Sequence, residues 1–229
     1  MSVKIDRPLG LGEILAETVR LYGERFSAAL GLGLPIAGVF LATLVTPGLV
    51  SVALVAIAFT ATYAAAARVA AGDGLFEAWA QAGLRLPTLL VLALVVAVPF
   101  ALGVAQLYLL VLAVAWLAFT GFSIPVAVLE SDPNAKNWFD RLSFTLYRAT
   151  LLARVEFLHA VGIIAAFVIV EIVLGIPLTA LLTGFGDNGR EVALALTQAI
   201  LAPLFFLGLS VLYFEQNARA LSSPREQRT

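Results

Sequence analysis

The sequence predicts an all-α integral membrane protein: six transmembrane helices arranged as three hairpins, each preceded by an amphipathic helix lying in the membrane interface. Three observations carry this prediction. Of 229 residues, 61% are hydrophobic and only 13% charged, about half of the roughly one quarter that a water-facing surface needs. The apolar residues gather into runs long enough to cross a bilayer twice. Thirteen of the fourteen Lys and Arg residues then fall on one side of the layout.

The N-terminal stretch is not expected to be a cleavable signal, because Glu13, Glu17 and Glu24 stand where its apolar core should lie. Phe26 to Ala67 contains 42 residues without a charge. As one helix this run would reach about 63 Å, twice a hydrocarbon core of about 30 Å. It must turn back, and Pro47-Gly48 is the natural corner. Leu86 to Leu129 gives 44 more uncharged residues, which fold back for the same reason, with Gly103 and Gln106 marking the bend. The last hairpin pairs Phe157–Leu182 with Val192–Phe214 across the polar turn Thr183–Glu191. The runs are continuously apolar and rich in Leu and Ala, not alternating, which favours helices over a barrel. Pro35, Pro99, Pro125, Pro177 and Pro203 lie inside the spans, where neighbouring helices can satisfy the freed carbonyls. Only Arg190 lies on the far side, so by the positive-inside rule both termini are expected in the cytoplasm. Residues 1–221 read as one polytopic domain, and 222–229 as a disordered cytoplasmic tail.

An amphipathic stretch precedes each hairpin. In the first, Glu13, Glu17, Arg20 and Glu24 share a face opposite Leu11, Ile14, Leu15, Thr18 and Tyr22. The second sets Leu75, Phe76, Trp79 and Leu86 on its oily side, and the third Trp138, Leu142, Leu146 and Ala149. Such stretches suit the cytoplasmic interface; the other reading is ordinary loop helices packed on protein. They resemble copies of one unit. Glu13 and Glu77 are 64 residues apart, as are Pro35 and Pro99, while Ile14 and Trp138 are 124 apart, as are Gly38 and Gly162. A pseudo-threefold repeat follows, with units of about 9–71, 72–131 and 132–219. Its hydroxyl pairs Thr60/Tyr63, Thr120/Ser123 and Ser210/Tyr213 either converge on a central axis or bond their own preceding carbonyls.

The opening "RPLGLGEILAETVRLYGERF", the central "IPVAVLE" and the terminal "LSVLYFEQNAR" resemble the glycerophosphoryl diester phosphodiesterase membrane domain family, through essentially the whole chain. That family includes free-standing six-span prokaryotic relatives, so the resemblance implies a prokaryotic plasma-membrane module. Its hydrolytic work belongs to a soluble domain that can follow, and with ten residues after Arg219 none is expected here. Two places depart from the family pattern. Relatives often carry an acidic-Leu-Arg tripeptide where this chain has Glu215-Gln216-Asn217, and an Arg-Ser pair where it has Arg141-Leu142-Ser143.

Glu171 is the acid inside a span. Charge at mid-bilayer costs about 2.5–3.5 kcal/mol on insertion scales, so this side chain should face protein or water. Pro203 leaves the Ala199 carbonyl without a helical donor, and Thr197 and Gln198 lie at similar depth. Glu171 is therefore a clasp between the last two spans or a proton site in a transport path. Glu130 and Glu215 end the fourth and sixth spans beside Arg141, Arg148, Arg154 and Arg219, a cytoplasmic cluster suited to a lipid phosphate, a protein partner or plain headgroup anchoring. His159 stands alone and there is no Cys, a poor basis for a metal site, so no metal or cofactor is expected. The dispersed basic residues exclude a nucleic-acid stripe, and no hydrolytic motif points to an enzyme. The expected function is a non-catalytic, lipid-interacting or scaffolding membrane module, with membrane lipids and a membrane or cytosolic protein as partners. The alternative is a small transporter or channel, proton-coupled through Glu171.

Overall fold

The computed structural model describes residues 3, 5, 7–106, 109–130, 137–183 and 189–222. All of its regular structure is helical: α1 (Leu11–Glu24), α2 (Phe26–Thr43), α3 (Gly48–Ala71), α4 (Leu75–Leu84), α5 (Leu86–Leu92), a π-helical segment (Ala93–Ala97), α6 (Val98–Ala105), α7 (Leu110–Thr120), α8 (Ser123–Leu129), α9 (Trp138–Val155), α10 (Phe157–Leu182) and α11 (Gly189–Ser222). Five helices are long and apolar enough to cross a membrane: Phe26–Thr43, Gly48–Ala71, Leu110–Leu129, Phe157–Leu182 and Arg190–Ser222. A sixth is reached if Leu75–Leu84 and Leu86–Leu102, bent by 80° at Arg85, count as one span. This is the architecture of a multi-pass membrane protein. The expected tail beyond Ser222, and most of the turn before Gly189, lie outside the described residues.

Local sequence explains the breaks. Pro47 is the N-cap of α3, and its fixed φ of −62° starts the returning helix four residues after α2 ends. At its other end α3 stops on Gly72, whose φ of 115° only a residue without a Cβ adopts readily. Pro99 has no N–H for the Val95 carbonyl, and the π-helical segment ends just before it. The Trp116 indole of α7 donates to that freed carbonyl at 3.0 Å, so one proline is satisfied by the neighbouring helix.

The core is built on α3 and α11. Residues Ala64 to Ala67 are fully buried, and these small side chains let the neighbouring helices approach α3 closely. Phe59 of α3, Phe100 of α6 and Phe205 and Phe206 of α11 stack into one aromatic cluster, with Phe59 and Phe206 ring centres 4.9 Å apart. Gly33 of α2 faces the Ala199 carbonyl that Pro203 leaves free, so closely that a methyl there would overlap it. Tyr22 of α1 donates to the next carbonyl, Ile200, at 3.0 Å.

The expected amphipathic stretches are separate helices. In α1 the buried residues are Ile14, Thr18 and Leu21, while Arg20 pairs outward with Glu17 and Glu24 at 2.5 and 2.7 Å. In α4 Ala78 and Ala82 pack inward, and Phe76, expected beside Leu75 and Trp79, points outward. In α9 Leu142, Ala149 and Leu152 are buried and Trp138 is exposed. In both helices part of the oily side faces outward, with Phe76, Trp138 and Phe139 exposed, while Trp79 and Phe144 pack against the core.

Candidate functional site

Two polar regions stand out, one at an end of the bundle and one midway along it. At the end, the last turns of α11 present two faces. Glu215 and Arg219, four residues apart, form a helical pair in the favourable order. Arg219 also pairs with Glu156 at the start of α10 and donates to the Leu9 carbonyl at 2.9 Å. Glu215 is wholly buried; it accepts from the Gln216 side chain at 3.2 Å and from the Leu9 amide at 3.4 Å. His159, one turn along α10, has its Nε2 3.2 Å from Arg219. The chain's N-terminal approach is thereby clasped onto its C-terminal helix.

The second face meets α8 and α9. Tyr213 donates its hydroxyl to Glu130 at 2.7 Å, Arg148 donates to the other Glu130 oxygen at 3.1 Å, and Arg148 reaches Asn217 at 2.8 Å. Asn137 caps α9 by accepting from the Asp140 amide at 2.9 Å. That start fixes the register by which Arg141, Thr145 and Arg148 share one face. Of the six expected cluster residues, Glu130, Arg148, Glu215 and Arg219 are joined in these networks. Arg141 instead lines a cavity, and Arg154 is exposed with no partner among the described residues.

That cavity, of about 70 Å³, is bounded by Arg85, Thr88, Ala127, Glu130, Arg141, Phe144 and Thr145. Arg85, Thr88 and Thr145 were not singled out from the sequence. A signal was present, since each arginine is followed by a threonine three or four residues on, but only the topology shows that the two pairs face each other.

Midway along the bundle Glu171 lies beside the Gln198 side chain, while the Ala199 carbonyl faces Gly33 of α2. Thr197 bonds Thr179 at 3.1 Å, so all three intramembrane candidates lie on the α10–α11 seam. The cavity beside Glu171 measures about 10 Å³ and is otherwise lined by Phe167, Val170, Leu201, Leu204 and Phe205. It has room for about one water.

The hydroxyl pairs mostly bond locally: Thr60 to Ala56, Thr120 to Trp116, Ser123 to Thr120 and Ser210 to Phe206, all carbonyls. The tyrosines reach across, Tyr63 to the Leu209 carbonyl at 3.3 Å and Tyr213 to Glu130. Outside the spans, Arg7 and the Gly10 amide hold the Glu13 carboxyl below its ordinary value, and burial pushes the Tyr22 phenol up. Among the described residues no three His, Cys, Asp or Glu side chains group to hold a metal.

Comparison with known proteins finds no match among protein-family models, curated proteins or solved structures.

Proposed function

We propose that this protein is a non-catalytic membrane module that interacts with lipid headgroups and scaffolds its surroundings, without moving a solute. One observation carries the reading: the cavity beside Glu171 is of single-water size, while the one at the end of the bundle is several times larger and lined by two arginines and two threonines. The space beside Glu171 admits about one water, far short of a path, and Gln198 lies beside the acid. Exposed Phe76 and Trp138 suit the headgroup zone, and the 80° corner at Arg85 is the geometry of an interfacial helix feeding a span. The sequence resemblance to the phosphodiesterase family's membrane domain supports the same reading. In it the chain makes three hairpins in a prokaryotic plasma membrane, both termini in the cytosol, from three related units.

The test is a proteoliposome assay with a pH-sensitive dye under an imposed potential. Wild type and Glu171→Gln should both leak protons no faster than empty vesicles, and Glu171→Gln should unfold within about 1 kcal/mol of wild type, because the amide keeps the volume and the polar contact beside Gln198. Proton flux in wild type that vanishes in a folded Glu171→Gln protein would establish the transporter instead.

A further inference from the structure

The cavity between α5, α8 and α9 has the composition of an anion site. Arg85, at the corner where α4 turns into α5, and Arg141, in the second turn of α9, line it from two sides. Neither has a hydrogen-bond or ion-pair partner among the described residues, whereas Arg7, Arg20, Arg68, Arg148 and Arg219 each hold a carboxylate. Glu130 also lines the cavity, but one of its oxygens accepts from Arg148 and the other from Tyr213. Arg148 offsets its charge, and among the described residues no carboxylate pairs with either cavity arginine.

The threonines point the same way. A threonine inside a helix ordinarily returns its hydroxyl to the carbonyl four residues back, as Thr18, Thr60, Thr120 and Thr150 do here at 2.7 to 2.9 Å. Thr88 and Thr145, only 7% and 3% exposed, make no such bond and line the cavity. Two threonines that line the cavity with no hydrogen-bond partner among the described residues, beside two arginines that hold no carboxylate there, are donors facing the cavity without an acceptor.

We propose that this pocket binds the phosphate oxyanion of a ligand, gripped by Arg85 and Arg141 and received by the hydroxyls of Thr88 and Thr145. A volume of about 70 Å³ accommodates about five water-sized groups, the count of atoms in one phosphate. Guanidinium forks match phosphate bidentately, and donors from two sides serve a tetrahedral anion better than a flat carboxylate. Glu130 in the wall disfavours a dianion more than a monoanionic diester. The site rests on the lipid-interacting reading: Leu84, Leu86 and Leu90 are exposed on the helices that meet at Arg85, and Phe139 and Tyr147 on α9, apolar surface that accompanies a headgroup site.

The experiment uses the full chain and two probes: phosphatidylglycerol against phosphatidylcholine, read as lipid retained in native mass spectrometry, and inorganic phosphate, read as thermal stabilisation in zwitterionic detergent. The comparison proteins are the double variant Arg85→Gln with Arg141→Gln and the control Arg20→Gln. Wild type and control should retain phosphatidylglycerol over phosphatidylcholine, and the double variant should lose affinity about ten-fold or more, the size of one lost charged hydrogen bond. Stabilisation by inorganic phosphate alone, lost in the double variant, would support the pocket with a soluble source and overturn the lipid reading. Equal retention of phosphatidylglycerol by wild type and double variant would overturn the pocket and spare the lipid reading. Retention of neither probe by wild type would overturn both. Should the double variant not fold, Thr88→Val with Thr145→Val, which keeps both arginines, should weaken binding several-fold, and an unchanged affinity there would equally overturn the proposal.

Discussion

The two polar regions of this bundle solve the same problem under different conditions. At the end of the bundle, Glu215, Arg219, Glu156, His159 and the Leu9 backbone draw on three separate parts of the chain, and Glu130, Arg148, Tyr213 and Asn217 on three helices. Midway along it, Glu171 has Gln198, and Thr179 has Thr197, with every partner on the same two helices. Desolvating a charge is expensive, so it is tolerated where an opposite charge and further hydrogen bonds surround it. Deeper in, a single acid beside an amide is the smaller commitment. Charge therefore ties together distant parts of the chain at the end of the bundle, and only adjacent helices in its middle. The scaffold's sequence-distant contacts ought to fail first when charge is removed from the end.

The largest effect should come from Glu215→Leu. The carboxylate is wholly buried and Arg219 only 15% exposed, and breaking such a pair by deleting one partner leaves an uncompensated charge, at a cost of about 3–5 kcal/mol. Arg219 keeps Glu156, so the cost should sit near the lower bound, about 3 kcal/mol, and the segment around Leu9 should detach from α11. Thermal unfolding in detergent, with limited proteolysis near Arg7, measures both. Glu171→Leu in the middle should cost less than Glu215→Leu. The reverse order would break the contrast between the regions.

Continuous apolar runs and proline corners are local, and those parts of the architecture were legible in the sequence: the turn before Gly48, the break near Ala105 and the amphipathic face of α1. Long-range satisfaction was not legible. Nothing near Pro203 in sequence says that Gly33, 170 residues earlier, closes against the carbonyl it frees. Arg154 joins the expected cluster by charge and position but not by helical face. In sequence Arg85 counts only toward the one-sided Lys and Arg distribution, because its significance lies in having no partner among the described residues, a property that only an assembled bundle has.

An intermediate effect is expected at that closed seam. Gly33→Leu places a side chain where the Ala199 carbonyl already sits; since backbone cannot rotate away, α2 must move from α11, costing about 1–3 kcal/mol. Gly38→Leu, on the same helix with nothing within 4 Å, should leave the unfolding temperature unchanged. Leu is the better helix former, so equal losses at both positions would mean that crowding along the whole of α2, not the carbonyl contact, governs the seam.

The smallest effect lies outside both regions and calibrates them. Glu13 accepts from the Gly10 amide at 2.8 Å and from Arg7 at 2.5 Å, chiefly the latter holding its carboxyl below the ordinary 4.5. A depressed carboxyl contributes fully above its unfolded value and loses that contribution as pH falls through the folded one. Protection of the first-turn amides of α1 from hydrogen exchange, corrected for intrinsic rates, should therefore hold from neutral pH to about 5 and weaken below. Glu13→Gln should show less protection at neutral pH and no such step, and because both side chains face solvent the difference is small. A wild-type step matched in Glu13→Gln would show that the acid sensitivity of α1 does not come from Glu13.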